Sequence, residues 1–536
     1  MKECDLSEDN LKAIASLKSL EKLDISGCKN FSINSPHFIT ILKKLKHLTI
    51  SNCGLDGKAL ESIYLNAQNL EYLDFSSNNL SNFPFTEQNA FPVFKETLKV
   101  LKLINCKLRS HDLEKFFIFN NLEEIDLSEN NFSEIGRTTI EKVFGSVSEF
   151  RGFLENFIYC LFWLVQSVFS KLTQLFSNER SKSFYKSYTA QLKTVGLNKC
   201  RITSELFITK LFDLENLESL KISNNQAQFN FEQIQKFKAY GKLRILEVEF
   251  CKGLNSKNLK NLTNFPNLKI LNASNNNFEN IKDGFQFGHS EDSLEELSIS
   301  SSNLNLNGLK AITNCPKIKI LNANDNNFAD IEDKFEFGNL KESLEELNIS
   351  FSQLNENGLR AITKCFKLKK LNAGSNYFEK IEDAFTLSHL EGSLEELNIC
   401  SSCLNENGLT AIAKCVNIRK LDLSWNNFGY IDANFDFGGL KESLEELNIS
   451  FSQLNENGLR AITKCLKLKK LNAKVNKFEN IDANFDFGNL KESLKELNIS
   501  NCSLNLLALK KIAEFKQLQI LDFSGNKINE SEPRIK

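Results

Sequence analysis

The chain holds only five histidines, His37, His47, His111, His289 and His389, and they are scattered without the short spacing a metal site needs. It also lacks an excess of either charge. Lys plus Arg number 66 against 68 for Asp plus Glu, a net charge of −2. That balance gives no global pull toward nucleic acid or an acidic membrane, so no nucleic-acid partner is expected. No apolar segment follows the opening MKECDLSEDN, so a signal peptide is not expected and the cytoplasm, or a host cytosol for a secreted effector, is the expected location. Long hydrophobic runs are missing as well. The densest, residues 157–169, spans 13 positions with Gln166 and Ser167 inside it, short of the roughly 20 a spanning helix needs. No nucleophile with a base, paired catalytic carboxylates or glycine-rich phosphate loop stands out. An enzyme is not expected, and neither is a cofactor.

What the sequence has in abundance is repetition. Residues 341–365, KESLEELNISFSQLNENGLRAITKC, return letter for letter at 441–465. Within them Leu344, Leu347, Ile349 and Leu354 follow the spacing L-x-x-L-x-L-x-x-(N/C/S)-x-L, numbered here as positions 1, 4, 6 and 11. Taking position 1 from Leu20 through Leu122 and again from Leu192 through Leu518 yields 19 units. Two unit types alternate. One has Cys or Ser at position 9, as in Cys106 and Ser352, and the other has Asn, as in Asn326 and Asn376. Their lengths of 24 and 26 sum to a true period of 50, as from Leu344 to Leu394. In the Cys/Ser units Leu359 and Ile362 lie on one helical face, whereas the Asn units predict a short helix or 3₁₀ turns.

Alternation along a strand places positions 4 and 6 in the core and positions 3, 5 and 7 on the open face. The polar side chain at position 9 is expected to satisfy loop backbone groups. Phe278, Phe328, Phe378, Phe428 and Phe478, all at position 11, predict a buried phenylalanine spine. No unit buries its apolar face alone, so stability comes from stacking.

This pattern resembles the leucine-rich repeat family, and the Cys/Ser units, with GLRAITKCFKLKKLNA as the nearest match, resemble its cysteine-containing and ribonuclease-inhibitor-like classes. The resemblance implies an α/β horseshoe solenoid, with a parallel concave sheet and convex helices or 3₁₀ turns, that binds proteins. Three segments are expected: repeats over 1–144 with the first unit incomplete, an apolar helical insertion over 145–188, and alternating repeats over 189–536.

Of fourteen cysteines, seven stand at position 9 (Cys4, Cys28, Cys53, Cys106, Cys200, Cys251 and Cys502). Four more, Cys315, Cys365, Cys415 and Cys465, recur every 50 residues. Structural thiols in a reducing compartment are the expectation. Cys400 and Cys403 form a lone CxxC whose sister positions are Ser350 and Gln353, which reads as drift and not as a metal site.

Between Leu122 and Leu192 the unit spacing is 70, but the alternation of unit types continues across the interruption. Read as a helix, the insert has an apolar face containing Phe153, Phe157, Leu161, Leu164 and Val168, with Trp163 breaking its polar side. Two expectations follow: a helix folded on the array or in a partner's groove, or peripheral membrane contact through 150–176.

On the sheet, Glu346 and its equivalents at position 3 alternate with Lys370 and its equivalents, which predicts cross-strand charge pairing. Asn348, Asn372, Asn398 and Asn448 at position 5 predict amide-to-amide hydrogen bonds along the sheet, with a polar partner as the functional alternative. Phe250, Phe351, Trp425 and Phe451 occupy position 8, where other units hold Ser301, Ser375 or Ser401. Packing does not demand an aromatic there, so these four are the expected contact residues. The resulting expectation is a non-catalytic protein-binding scaffold using concave face and lip, of the kind a microbial interaction or effector protein uses. The alternatives are a substrate-recognition subunit of a ubiquitin ligase and a structural protein anchored at a membrane surface by the insertion.

Overall fold

The computed structural model describes residues 4–526 except 82–91, 117–118, 120, 137–138, 141–142, 144–190, 229–233, 330, 380, 383–384, 388, 480 and 482–483. The chain divides into two compact units, Met1–Leu268 and Lys269–Lys536. Each is a stack of short parallel strands. Among the described residues the first unit holds eight strands, from Lys22–Asp24 to Ile245–Glu247, and the second holds eleven, from Ile270–Asn272 to Ile520–Asp522.

Each strand is three residues long and spans positions 3 to 5 of its repeat, and in all but the first and the last the central residue is buried, as in Glu346–Asn348 around Leu347. Neighbours pair in parallel and in strict register. Glu346 faces Lys370, and Lys370 faces Glu396, separations of 24 and 26 residues that match the two unit lengths. Leu344, Leu347, Ile349 and Leu354 are all buried, as are the five position-11 phenylalanines.

The expected role of position 9 holds bond by bond. The carboxamide oxygen of buried Asn376 accepts from the backbone N–H groups of Ser352 (3.1 Å) and Leu354 (3.0 Å) in the preceding unit. Its nitrogen donates to the carbonyls of Ile349 (3.0 Å) and Ala373 (2.8 Å). One side chain thus bonds four backbone groups, and all but the Ala373 carbonyl, which also accepts from the Ser402 hydroxyl, would otherwise be buried without partners. In the other unit type Ser352 donates to the carbonyls of Ala323 and Ser350, and Cys106 donates to those of Phe75 and Ile104.

The Cys/Ser units carry helices such as Glu356–Ile362, whose N-cap Asn355 accepts from the N–H of Gly358. Leu359 and Ile362 face the core. The nitrogens of Asn355 and Asn357 both donate to the carbonyl of Ile331, lacing this helix to the unit before it. The Asn units have short pieces instead, 3₁₀ at Gly338–Glu342 and a single α turn at Leu440–Ser443. Both match the sequence expectation. Arg360 and Arg460 lie over the rings of Phe385 and Phe485.

The interruption leaves the sheet intact. Strand Glu124–Asp126 pairs directly with Thr194–Gly196, and the N–H of Leu127 donates to the carbonyl of Gly196 at 2.8 Å. The stack therefore continues across the 70-residue gap. Phe153, Phe157, Leu161, Trp163, Leu164 and Val168 lie outside the described residues. Among the described residues no helix is long and apolar enough to cross a membrane.

Candidate functional site: the open sheet face and its lip

In the second unit the strand residues from Ile320 to Asp522 line a hollow of about 850 Å³. The position-3 row alternates Glu346, Lys370, Glu396, Lys420, Glu446, Lys470 and Glu496 in register. Ion pairs form along it, Lys370 to Glu346 at 2.8 Å, Lys420 to Glu396 at 3.4 Å and Lys470 to Glu496 at 3.1 Å. The position-2 row adds Lys369 to Glu345 at 2.7 Å. The hydrogen bond from Lys369 holds the Glu345 carboxyl below the usual carboxylate range, and two lysines, Lys269 and Lys319, do the same for Glu295. The expected charge code is present, and its pairs are exposed to solvent.

The asparagine row differs from its expectation. The side-chain oxygens do not run amide to amide along the sheet but turn inward to the backbone two residues on. Asn348 accepts from the N–H of Ser350 (3.3 Å), Asn372 from Gly374 (3.3 Å), Asn398 from Cys400 (3.0 Å) and Asn448 from Ser450 (3.3 Å). The reason is proximity. An Asx-type bond closes within one residue pair, whereas an amide partner on the next strand is about 4.8 Å away. Cross-strand contacts survive as single links, such as Asn448 to Asp422 at 3.0 Å and Asn348 to Asn324 at 3.5 Å.

Position 8 shows a property the sequence reading missed. In repeat after repeat its backbone is left-handed: Gly27 and Gly525, then Asn52, Asn105, Asn224, Ser301, Ser375 and Ser401 all have positive φ. Glycine and asparagine tolerate that conformation, and bulky or β-branched side chains rarely adopt it. Yet Phe250 (φ 50°), Phe351 (53°), Trp425 (58°), Phe451 (55°) and Val475 (53°) hold it. The recurrence of Gly, Asn and Ser at this position was the available signal.

These aromatics are not sunk into the core. Phe250 and Phe351 are each 62% exposed and Trp425 is 58% exposed. Phe451 is half-buried because Trp425 covers one face, with centroids 4.0 Å apart and planes 6° from parallel. Lys474 stands over the Phe451 ring at 5.9 Å. Tyr377, two residues past position 8 of its unit, and Tyr430 are exposed too and were not anticipated. Among the described residues no group of His, Cys, Asp or Glu is placed to hold a metal ion.

Comparison with known proteins agrees with this architecture. Models described as Leucine Rich Repeat match residues 69–88 and 121–143, and a second one matches 414–433. No curated protein matches the chain by sequence. A Leptospira interrogans leucine-rich repeat protein superposes with a TM-score of 0.51 at 16% identity, over 88% of this chain and 100% of that one. A chain of the mouse RP105/MD-1 complex gives 0.52 at 18% identity, over 98% and 83%. With its register, its position-9 bonds and these matches, the chain has the fold of a leucine-rich repeat solenoid and carries repeats that match leucine-rich repeat models.

Proposed function

We propose that the chain is a non-catalytic protein-binding scaffold that contacts its partner through the open sheet face and the position-8 lip. The observation that carries this reading is the choice of residue at Phe250, Phe351 and Trp425. A left-handed backbone costs an L-residue about 1–2 kcal/mol, and exposed rings recover little of that through burial in the folded chain. Sister units fold with serine at the same place. An aromatic that is strained and left in solvent gains its return on association, where such side chains act as binding anchors. The ion-paired rows beside them supply a polar surround.

The identical copies at 341–365 and 441–465 support a recently duplicated array, which suits an interaction or effector protein acting in a cytosol. Membrane-surface contact through the insertion is the second reading, carried by the apolar character of residues 150–176.

The test is affinity capture from lysate of the source cell or its host. Wild type is compared with a chain in which Phe351, Trp425 and Phe451 are all replaced by glycine. A specific protein retained by the wild type and lost from the variant, with the melting temperature maintained, is the expected result. Equal capture by both removes the lip from the binding surface.

A further inference from the structure

The thiols of Cys4 and Cys28 lie 3.2 Å apart. Cys53, Cys200 and Cys502 donate to main-chain carbonyls of the unit before them, those of Ile25, Leu127 and Ala473. Cys28 meets the thiol of Cys4 across the same unit spacing.

The backbone holds the pair in place. Asp5 and Lys29 form a parallel bridge, the N–H of Leu6 donates to the carbonyl of Lys29 (3.0 Å), and the N–H of Lys29 donates to the carbonyl of Cys4 (3.1 Å). Cys4 and Cys28 are the preceding pair in the same register. Adjacent strands run about 4.8 Å apart, inside the Cα separation of roughly 4.4–6.8 Å that a disulfide spans. Closing the bond requires the sulfurs to approach to about 2.05 Å, a side-chain rotation and not a backbone movement. Access is asymmetric, since Cys4 is half-buried and Cys28 is buried.

We propose that Cys4 and Cys28 form an oxidation site at which a low-molecular-weight disulfide of the glutathione type converts two thiols into one intramolecular disulfide. Cys4, the accessible sulfur, attacks the small disulfide, breaks its S–S bond and releases one thiol. Cys28 then attacks the mixed disulfide at the Cys4 sulfur and releases the second. One S–S bond is broken and one is made. The chain loses two electrons and two protons, and the small disulfide gains them as two thiols. The new bond joins helix Glu8–Ala15 covalently to the first complete repeat, because that helix lies inside the closed loop.

The test uses the full chain in glutathione buffers of rising oxidised-to-reduced ratio, with quenching by alkylation, digestion and mass spectrometry. The expected product is a linked pair of peptides containing Cys4 and Cys28, with the position-9 thiols of the later repeats still alkylatable after unfolding. Cys28→Ser is expected to stop at a glutathione adduct on Cys4, and Cys4→Ser to give no intramolecular bond. In urea the preference for this pair is expected to vanish. A wild-type chain that accumulates the Cys4 adduct without linking Cys28, that links Cys4 elsewhere, or that links the pair equally well in urea would overturn the proposal.

Discussion

The indole of Trp425 lies face to face with the ring of Phe451, 4.0 Å away and 6° from parallel, and both residues hold a left-handed backbone. Two strained residues have been brought together on adjacent units. Stacking of this kind is worth about 1 kcal/mol, of the same order as the strain at one of them.

Among the described residues Phe250 and Phe351 have no such ring partner. Phe250→Gly and Phe351→Gly are therefore expected to leave stability unchanged or raise it by about 0.5–1 kcal/mol each, as relief of the left-handed penalty outweighs the flexibility glycine adds to the unfolded chain. Denaturant melts of the single variants check this. A loss above that size would show that the rings pack against the fold and are not exposed.

Asn376 is the opposite case. Replacing it with alanine orphans the N–H groups of Ser352 and Leu354 and the carbonyl of Ile349, and leaves the Ala373 carbonyl only the Ser402 hydroxyl. The expected cost is about 3 kcal/mol. Hydrogen exchange is expected to accelerate at Ser352 and Leu354, and a variant with unaltered exchange there would contradict the bonding described.

The thiols set an alkaline limit. Burial pushes Cys106, Cys200, Cys251, Cys315, Cys365 and Cys465 up to about 12 and Cys53 to about 11, from an ordinary 9.0. A raised value means that the folded state holds the proton more tightly than the unfolded one. Their contribution is complete below pH 9 and is lost as pH rises from 9 toward 12. Melting temperature is expected to fall across that window, and native alkylation at pH 8 is expected to reach exposed Cys403 well before any of these seven. Simultaneous labelling of Cys403 and Cys106 would refute it.

Removing residues 145–188 is expected to leave the array folded, because Glu124–Asp126 and Thr194–Gly196 already pair without it. Circular dichroism and a melt within a few degrees of wild type would bear this out. A chain that loses its cooperative transition would show that the insertion is part of the core.

Much of this was legible from the sequence because the core obeys simple periods. The spacing of Leu344, Leu347, Ile349 and Leu354 reports which side chains point inward, and the alternation of Cys/Ser with Asn at position 9 reports where the backbone needs a partner. The charge rows were legible for the same reason, since register follows from the repeat. Two features were not. The amides of Asn348 and Asn398 had a choice between a neighbouring strand and their own backbone, and composition does not weigh that competition. The left-handed turn at position 8 was masked by its exceptions: Phe351 and Trp425 drew attention as aromatics, while the glycines and asparagines that mark the backbone lay in other units.

The duplicated segment carries a lesson about how such an array changes. Phe351 and Phe451 sit in identical 25-residue copies, yet one stands open and the other is half covered, because Asp325 precedes the first at position 8 and Trp425 precedes the second. A single codon change in an Asn-type unit thus rewrites the surface chemistry of the unit beside it without touching that unit's own residues. Duplication supplies spare copies, and their neighbours differentiate them, so that new specificities arise in pairs of units while the core that stacks them stays fixed.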